Sequence, residues 1–196
     1  MTKIIGITGG YGSGKSTLTK YLKKKKFTLH DSDKEVHKLY KNPNADFKKH
    51  LLSLGLITSL KTKQINKKEI AEKIFSNKNL RKKLETFVHS KLSRIRKRFI
   101  NKNKKLKTKI IFLDIPLLFE KNLDKEFDKI ICVLCSKKTR IQRLKLQKKT
   151  KKTMFEKIVM TQTSDVQRKK RSDFCITNNK TKKIFFRKVD EVLILI

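Results

Sequence analysis

Four of the chain's six glycines stand within six consecutive positions, in Gly9-Gly10-Tyr11-Gly12-Ser13-Gly14-Lys15-Ser16. So tight a cluster in a glycine-poor chain marks a place where the backbone must curl. The spacing G-x-x-x-x-G-K-[ST] is that of a phosphate-binding loop, or P-loop. Its context also fits. The apolar run Lys3–Thr8 reads as a short buried strand leading into the loop, and a helix is expected from about Ser16 to Lys25. In such a loop successive N–H groups face an anion, and the helix adds the positive end of its dipole. Lys15 then reaches the β- and γ-phosphates, and the Ser16 hydroxyl coordinates Mg²⁺. The candidate ATP-binding residues are Gly10, Tyr11, Gly12, Ser13, Gly14, Lys15, Ser16 and Thr17.

The rest of the chain divides by hydrophobic pattern. Phe27–His30 is a second short strand, and from Asp33 to about Asn103 apolar residues recur at helical spacing, interrupted at Gly55 and over Thr58–Asn66. Strands return at Ile110–Leu113, Ile130–Leu134 and Phe174–Ile176. Helices are expected at Lys137–Lys149, at Thr153–Arg171 with a break near Ser164, and at Lys183–Leu195. Solidly apolar strands separated by helices argue for a parallel sheet covered on both faces. The long helical stretch is then an insertion between two strands.

Two acidic sites stand out in a chain with only 17 Asp and Glu. Asp114 closes the run Ile110-Ile111-Phe112-Leu113, the Walker B pattern in which a carboxylate supports the Mg²⁺ on the phosphates. Asp31 and Asp33 follow the second strand, where the carboxyl ends of parallel strands line a ligand crevice. Asp33 reads either as a proton acceptor for an attacking hydroxyl or as the cap of a helix starting at Lys34. Cys132 and Cys135 have C-x-x-C spacing but lie inside an apolar run without a second ligand pair, so they read as buried thiols. Lys102–Lys109 reads as a solvated connection.

The 196 residues allow one domain with a modest insertion, and the apolar blocks exclude a wholly disordered chain despite a net charge of +36. Of the 53 basic residues 44 are Lys and 9 are Arg. A surface selected to grip phosphates would lean more on the bidentate fork of Arg, so the charge reads as compositional drift toward Lys. No apolar run approaches the ~18–20 residues of a membrane span, and no signal-peptide pattern opens the chain. The cytoplasm is the expected compartment.

With these residues in place the chain resembles the dephospho-CoA kinases nearly end to end. Gly6–Thr17 is similar to the family's G-[LI]-T-G-G-x-G-S-G-K-S-T opening, and Asp31-Ser32-Asp33 with His37 to its D-A-D segment. Leu84-Glu85 with His89 resembles L-E-x-x-x-H-P, with Ser90 in place of the proline. Asp114-Ile115-Pro116-Leu117-Leu118-Phe119-Glu120 resembles D-V-P-L-L-F-E, a far more specific signature than the P-loop. Gln162 and Asp173-Phe174-Cys175-Ile176-Thr177-Asn178 complete the set.

The resemblance implies an α/β fold of P-loop nucleoside-kinase type, in three layers with a parallel sheet between helices. Residues 1–196 would form a single kinase domain, with a helical acceptor-binding insert at about 40–103 and a lid at about 140–162. It further implies transfer of the ATP γ-phosphate to the ribose 3′-hydroxyl of dephospho-CoA, the last step of coenzyme A synthesis. Lys15, Asp33, Asp114 and Arg143 would be catalytic, with Asp33 as general base and Ser16 and Asp114 at the Mg²⁺. Where the family's lid usually reads Arg-Asp this chain has Gln147-Lys148, although Arg143 upstream matches, so the usual lid cation is either missing or supplied by Lys145, Lys148 or Lys149. The expected partners are ATP and dephospho-CoA, with neither a membrane nor a specific nucleic acid. The competing readings are another P-loop kinase of a nucleotide or small metabolite, and a basic nucleic-acid-binding NTPase.

Overall fold

A computed structural model describes residues 1–61, 63–75, 77–146 and 152–196. The chain divides into two compact units, Met1–His30 with Lys102–Ile196, and Asp31–Asn101.

The first unit is built on β1 (Lys3–Gly9), which is buried from Ile4 onward. β3 (Ile110–Asp114) and β4 (Lys129–Leu134) flank it, β5 (Phe174–Thr177) lies beyond β4, and β2 (Thr28–Asp31) beyond β3. The β1–β3, β1–β4 and β4–β5 ladders are parallel, with Ile7 opposite Asp114 and Gly9 opposite Val133. Central strands with both faces covered must be apolar on both, hence the continuous runs in the sequence. The chain fills one side of β1 with β2 and β3, then crosses to the other with β4 and β5. Ligands bind at such a reversal, outside the carboxyl ends of the strands.

Helix α1 (Lys15–Lys24) and the C-terminal α9 (Lys182–Ile194) close the core. Leu18 and Leu22 of α1, and Phe185 and Val189 of α9, are spaced one helical turn apart and meet Ile5, Ile7, Phe112, Ile131, Val133 and Ile176. Each such side chain withdrawn from water contributes about 1.5–3 kcal/mol. Tyr21 stacks on Phe186 at 4.1 Å, and its hydroxyl donates to Asp190 Oδ2 at 2.8 Å. Between β4 and β5 run α6 (Lys137–Leu146), α7 (Lys152–Met160) and α8 (Asp165–Arg171). The break expected near Ser164 is real: its hydroxyl accepts from Gln167 N at 3.2 Å and caps α8.

The second unit is helical, with α2 (Ser32–Lys41), α3 (Ala45–Ser53), α4 (Lys67–Phe75) and most of α5 (Lys78–Lys105). Leu39, Phe47, Leu51, Leu56, Ile65, Ile70 and Leu84 form its own core. Phe47 meets Tyr40 edge-on at 5.1 Å. Helix α5 runs unbroken through His89 and Ser90, which a helix tolerates where a proline would remove a hydrogen bond. It also extends to Lys105, so the first part of Lys102–Lys109 is its last turn, while the lysines of that run are exposed to solvent as expected.

Candidate active site

The helix that follows β1 and the end of β3 each bring a charged side chain to the reversal. Lys15 opens α1, Asp114 closes β3, and Lys15 Nζ is ion-paired with Asp114 Oδ1. The two side chains are 14% and 6% exposed. With so little water around them, their attraction is stronger than that of a pair at the open surface.

The loop between them is held from outside itself. Ser13 N donates to the Gly10 carbonyl at 3.0 Å. Asn178, just after β5, donates through Nδ2 to the Ser13 carbonyl at 2.8 Å. Gln162 Oε1 accepts from Tyr11 N at 3.0 Å. Gly14 has φ +99°, in the left-handed region, and a Cβ there would lie 2.1 Å from Asn178 Nδ2. Backbone angle and contact therefore both require glycine at this position. The N–H groups of Gly12, Gly14, Lys15 and Ser16 donate to no acceptor among the described residues. Ser13 Oγ is buried and likewise without a partner there. A loop with that many open donors beside a helix N-terminus suits an anion.

The residues expected to act with the loop fare differently. Asp31 is the N-cap of α2, its carboxylate accepting from Lys34 N at 3.1 Å. The alternative in which Asp33 caps the helix is thereby corrected. Asp33 lies inside the first turn, exposed, with no hydrogen bond to a described residue.

Arg143 has partners other than those expected of a lid cation. It donates from Nη1 to the Asn178 carbonyl at 2.8 Å and from Nη2 to that of Lys180 at 3.4 Å. Lys145 is exposed on α6, whereas Gln147, Lys148 and Lys149 lie outside the described residues. The Ser16 hydroxyl is exposed. Cys132 is buried in β4, and burial pushes its thiol up to about 12, so no thiolate forms near neutral pH.

Charged residues that motif reading passed over also gather here. Arg140 of α6 and Arg168 of α8, 6% and 2% exposed, share the carboxylate of Asp165. Arg168 also reaches Glu120 at 3.1 Å. The only signal in the sequence was the retention of Arg where Lys is the rule. No helix among the described residues is long and apolar enough to cross a membrane.

The sequence model of the dephospho-CoA kinase family matches residues 3–183. The dephospho-CoA kinase of Fusobacterium nucleatum is 35% identical over 188 residues, covering 95% of each chain. That of Streptococcus mutans is 35% identical over 184 residues, covering 92% of this chain and 91% of its own. The structure of the dephospho-CoA kinase from Campylobacter jejuni has the same fold, with a TM-score of 0.73 at 24% identity over 98% of this chain and 96% of its own. A family model that spans both units and includes the P-loop, Asp114 and Gln162 leaves one conclusion: the chain belongs to the dephospho-CoA kinase family.

Proposed function

We propose that the protein transfers the γ-phosphoryl group of ATP to the ribose 3′-hydroxyl of dephospho-CoA, giving CoA and ADP. The observation that carries this reading is the Lys15–Asp114 ion pair beside a loop of open N–H donors, in a chain of this family. Within Gly10–Thr17, the open main-chain N–H groups of Gly12, Gly14, Lys15 and Ser16 cradle the triphosphate. Lys15 exchanges Asp114 for the β- and γ-phosphates and holds the charge that accumulates there during transfer.

The 3′-hydroxyl oxygen attacks the γ-phosphorus, the bond to the β–γ bridging oxygen breaks, and the hydroxyl proton passes to Asp33. An exposed carboxylate with no hydrogen bond to a described residue is free to accept it. The helical insert at about 40–103 supplies the acceptor-binding region and about 140–162 the lid.

Mg²⁺ fits the donors present. Ser16 offers an exposed hydroxyl and Asp114 a carboxylate, and Mg²⁺ typically takes one or two protein oxygens beside phosphate and water. When bound there it would neutralise phosphate oxygens. Arg143 keeps the Asn178–Lys180 segment in place against the P-loop. We place the protein in the cytoplasm and ascribe its charge to composition.

ADP release measured with dephospho-CoA, adenosine and other nucleoside acceptors tests the proposal. Turnover selective for dephospho-CoA and indifferent to added DNA or RNA is the expected result. Turnover that needs nucleic acid, or that prefers another acceptor, would overturn it.

A further inference from the structure

The buried charges beside Gly10 are not part of the reaction as described, and their arrangement gives them a task. Gly10, unlike Gly12 and Gly14, does not have a positive φ, so its backbone conformation does not call for glycine. Space does. A Cβ there would lie 2.6 Å from Arg140 Nη1, 3.1 Å from Arg168 Nη1 and 3.4 Å from Asp165 Oδ1. Two guanidinium groups and the carboxylate between them thus lie directly against the P-loop main chain.

These groups form one network. Arg140 Nη2 donates to Asp165 Oδ2 at 2.7 Å, and Arg168 Nη1 to Asp165 Oδ1 at 3.1 Å. Arg168 Nη2 donates to Glu120 Oε1 at 3.1 Å, and the same oxygen accepts from Thr163 N at 2.8 Å. Arg140 also lies 5.9 Å from the centre of the Phe155 ring, which is 6.3 Å from the ring of Tyr11. Arg168 uses two terminal nitrogens on two carboxylates, a fork that a lysine ammonium cannot reproduce. That accounts for arginine here in a chain with 44 lysines.

Stability alone does not explain the cluster. A buried ion pair often does no better than an apolar replacement of equal size. This one also leaves Arg140 Nε, Arg168 Nε and Glu120 Oε2 buried without a partner among the described residues. Groups left so need a reason.

We propose that Arg140 and Arg168, bridged by Asp165 and anchored by Glu120, are positioning residues that press on Gly10 and fix the P-loop main chain for ATP. The proposal rests on the reading of this loop as the ATP site, and it is independent of which acceptor is used. The network ties α6 and α8 to the loop, so a change in either helix reaches the N–H groups that receive the phosphates.

A double-mutant cycle on Gly10→Ala and Arg140→Ala, read by calorimetric ATP binding in the presence of Mg²⁺, tests it. Alone, Gly10→Ala should weaken binding by about tenfold or more, because the new methyl meets a guanidinium held in place by Asp165; in the Arg140→Ala background the same change should cost about threefold or less, as expected of coupled neighbours. Arg140→Ala alone should also weaken ATP binding, with KM for dephospho-CoA within about twofold of wild type, since no residue of the network belongs to the Asp31–Asn101 unit. Arg140→Lys keeps the charge without the planar guanidinium whose Nη1 meets Gly10, and should fall between wild type and alanine. It also carries the test if circular dichroism shows Arg140→Ala unfolded. An equal Gly10→Ala penalty in both backgrounds would overturn the proposal, as would an Arg140 substitution that lowers thermal stability but leaves ATP binding unchanged. A wild type that binds ATP without turning over dephospho-CoA would count against the acceptor assignment and leave this cycle readable.

Discussion

Asn178 Nδ2 and the carbonyl of Ser13 meet at 2.8 Å across 165 residues of chain, joining the segment after the last strand to the P-loop after the first. The same asparagine offers its own carbonyl to Arg143 Nη1, also at 2.8 Å. One residue therefore connects loop, β5 and α6, and Gly14 is the position that makes room for it.

Asn178→Ala should loosen that connection. The Ser13 carbonyl loses a buried hydrogen bond, an effect of about 1–3 kcal/mol on whatever depends on it. ATP affinity should fall by about tenfold on that scale, with KM for the acceptor little changed. Separate titrations of the two substrates check this. Equal loss for both would point to general unfolding.

Lys15→Ala removes the cation paired with Asp114. Turnover should drop below about a tenth of wild type, because Lys15 is proposed to hold charge that develops on the phosphates. The fold should survive, since Lys15 is outside the apolar core. A steady-state assay together with a thermal melt separates the two effects.

The two aspartates after β2 should part company on substitution. Asp33→Asn should lower kcat by about 10²–10⁴-fold, the usual contribution of a positioned base, while melting like wild type. Asp31→Ala should instead destabilise the protein by about 1 kcal/mol, because it removes the N-cap of α2. The reverse pattern, stability lost at Asp33 and turnover intact, would exclude Asp33 as the base.

Acid should unmask Asp173. Burial pushes its carboxyl up, but hydrogen bonds from Lys129 and from Ile130 N outweigh burial and bring it below the ordinary 3.8. A carboxyl lowered in the folded state stabilises above its unfolded value and loses that contribution as pH falls through the folded one. Denaturant melts of wild type and Asp173→Asn should therefore differ near neutral pH and converge as pH drops below about 3.8. A gap that persists at the lowest pH would assign the stabilisation to something other than the charged carboxylate.

Local chemistry was enough for much of this molecule. The P-loop, the strand before it, the apolar run ending in Asp114 and the cap at Ser164 depend on residues close in sequence, through backbone freedom, periodicity and side-chain acceptors. The helical nature of the second unit follows from the same spacing. What tertiary structure decided is which distant groups share a carboxylate or a carbonyl. Asp31 rather than Asp33 caps α2, because the helix starts at Ser32, two residues before the Lys34 start that the sequence suggested. Arg143, one cationic position among many, became a donor to the carbonyls after β5. Arg140 and Arg168 came to face Gly10 only once α6 and α8 had packed beside the loop. Hydrogen bonds spanning 25 to 165 residues leave no periodic trace, since only the folded chain brings their partners within reach.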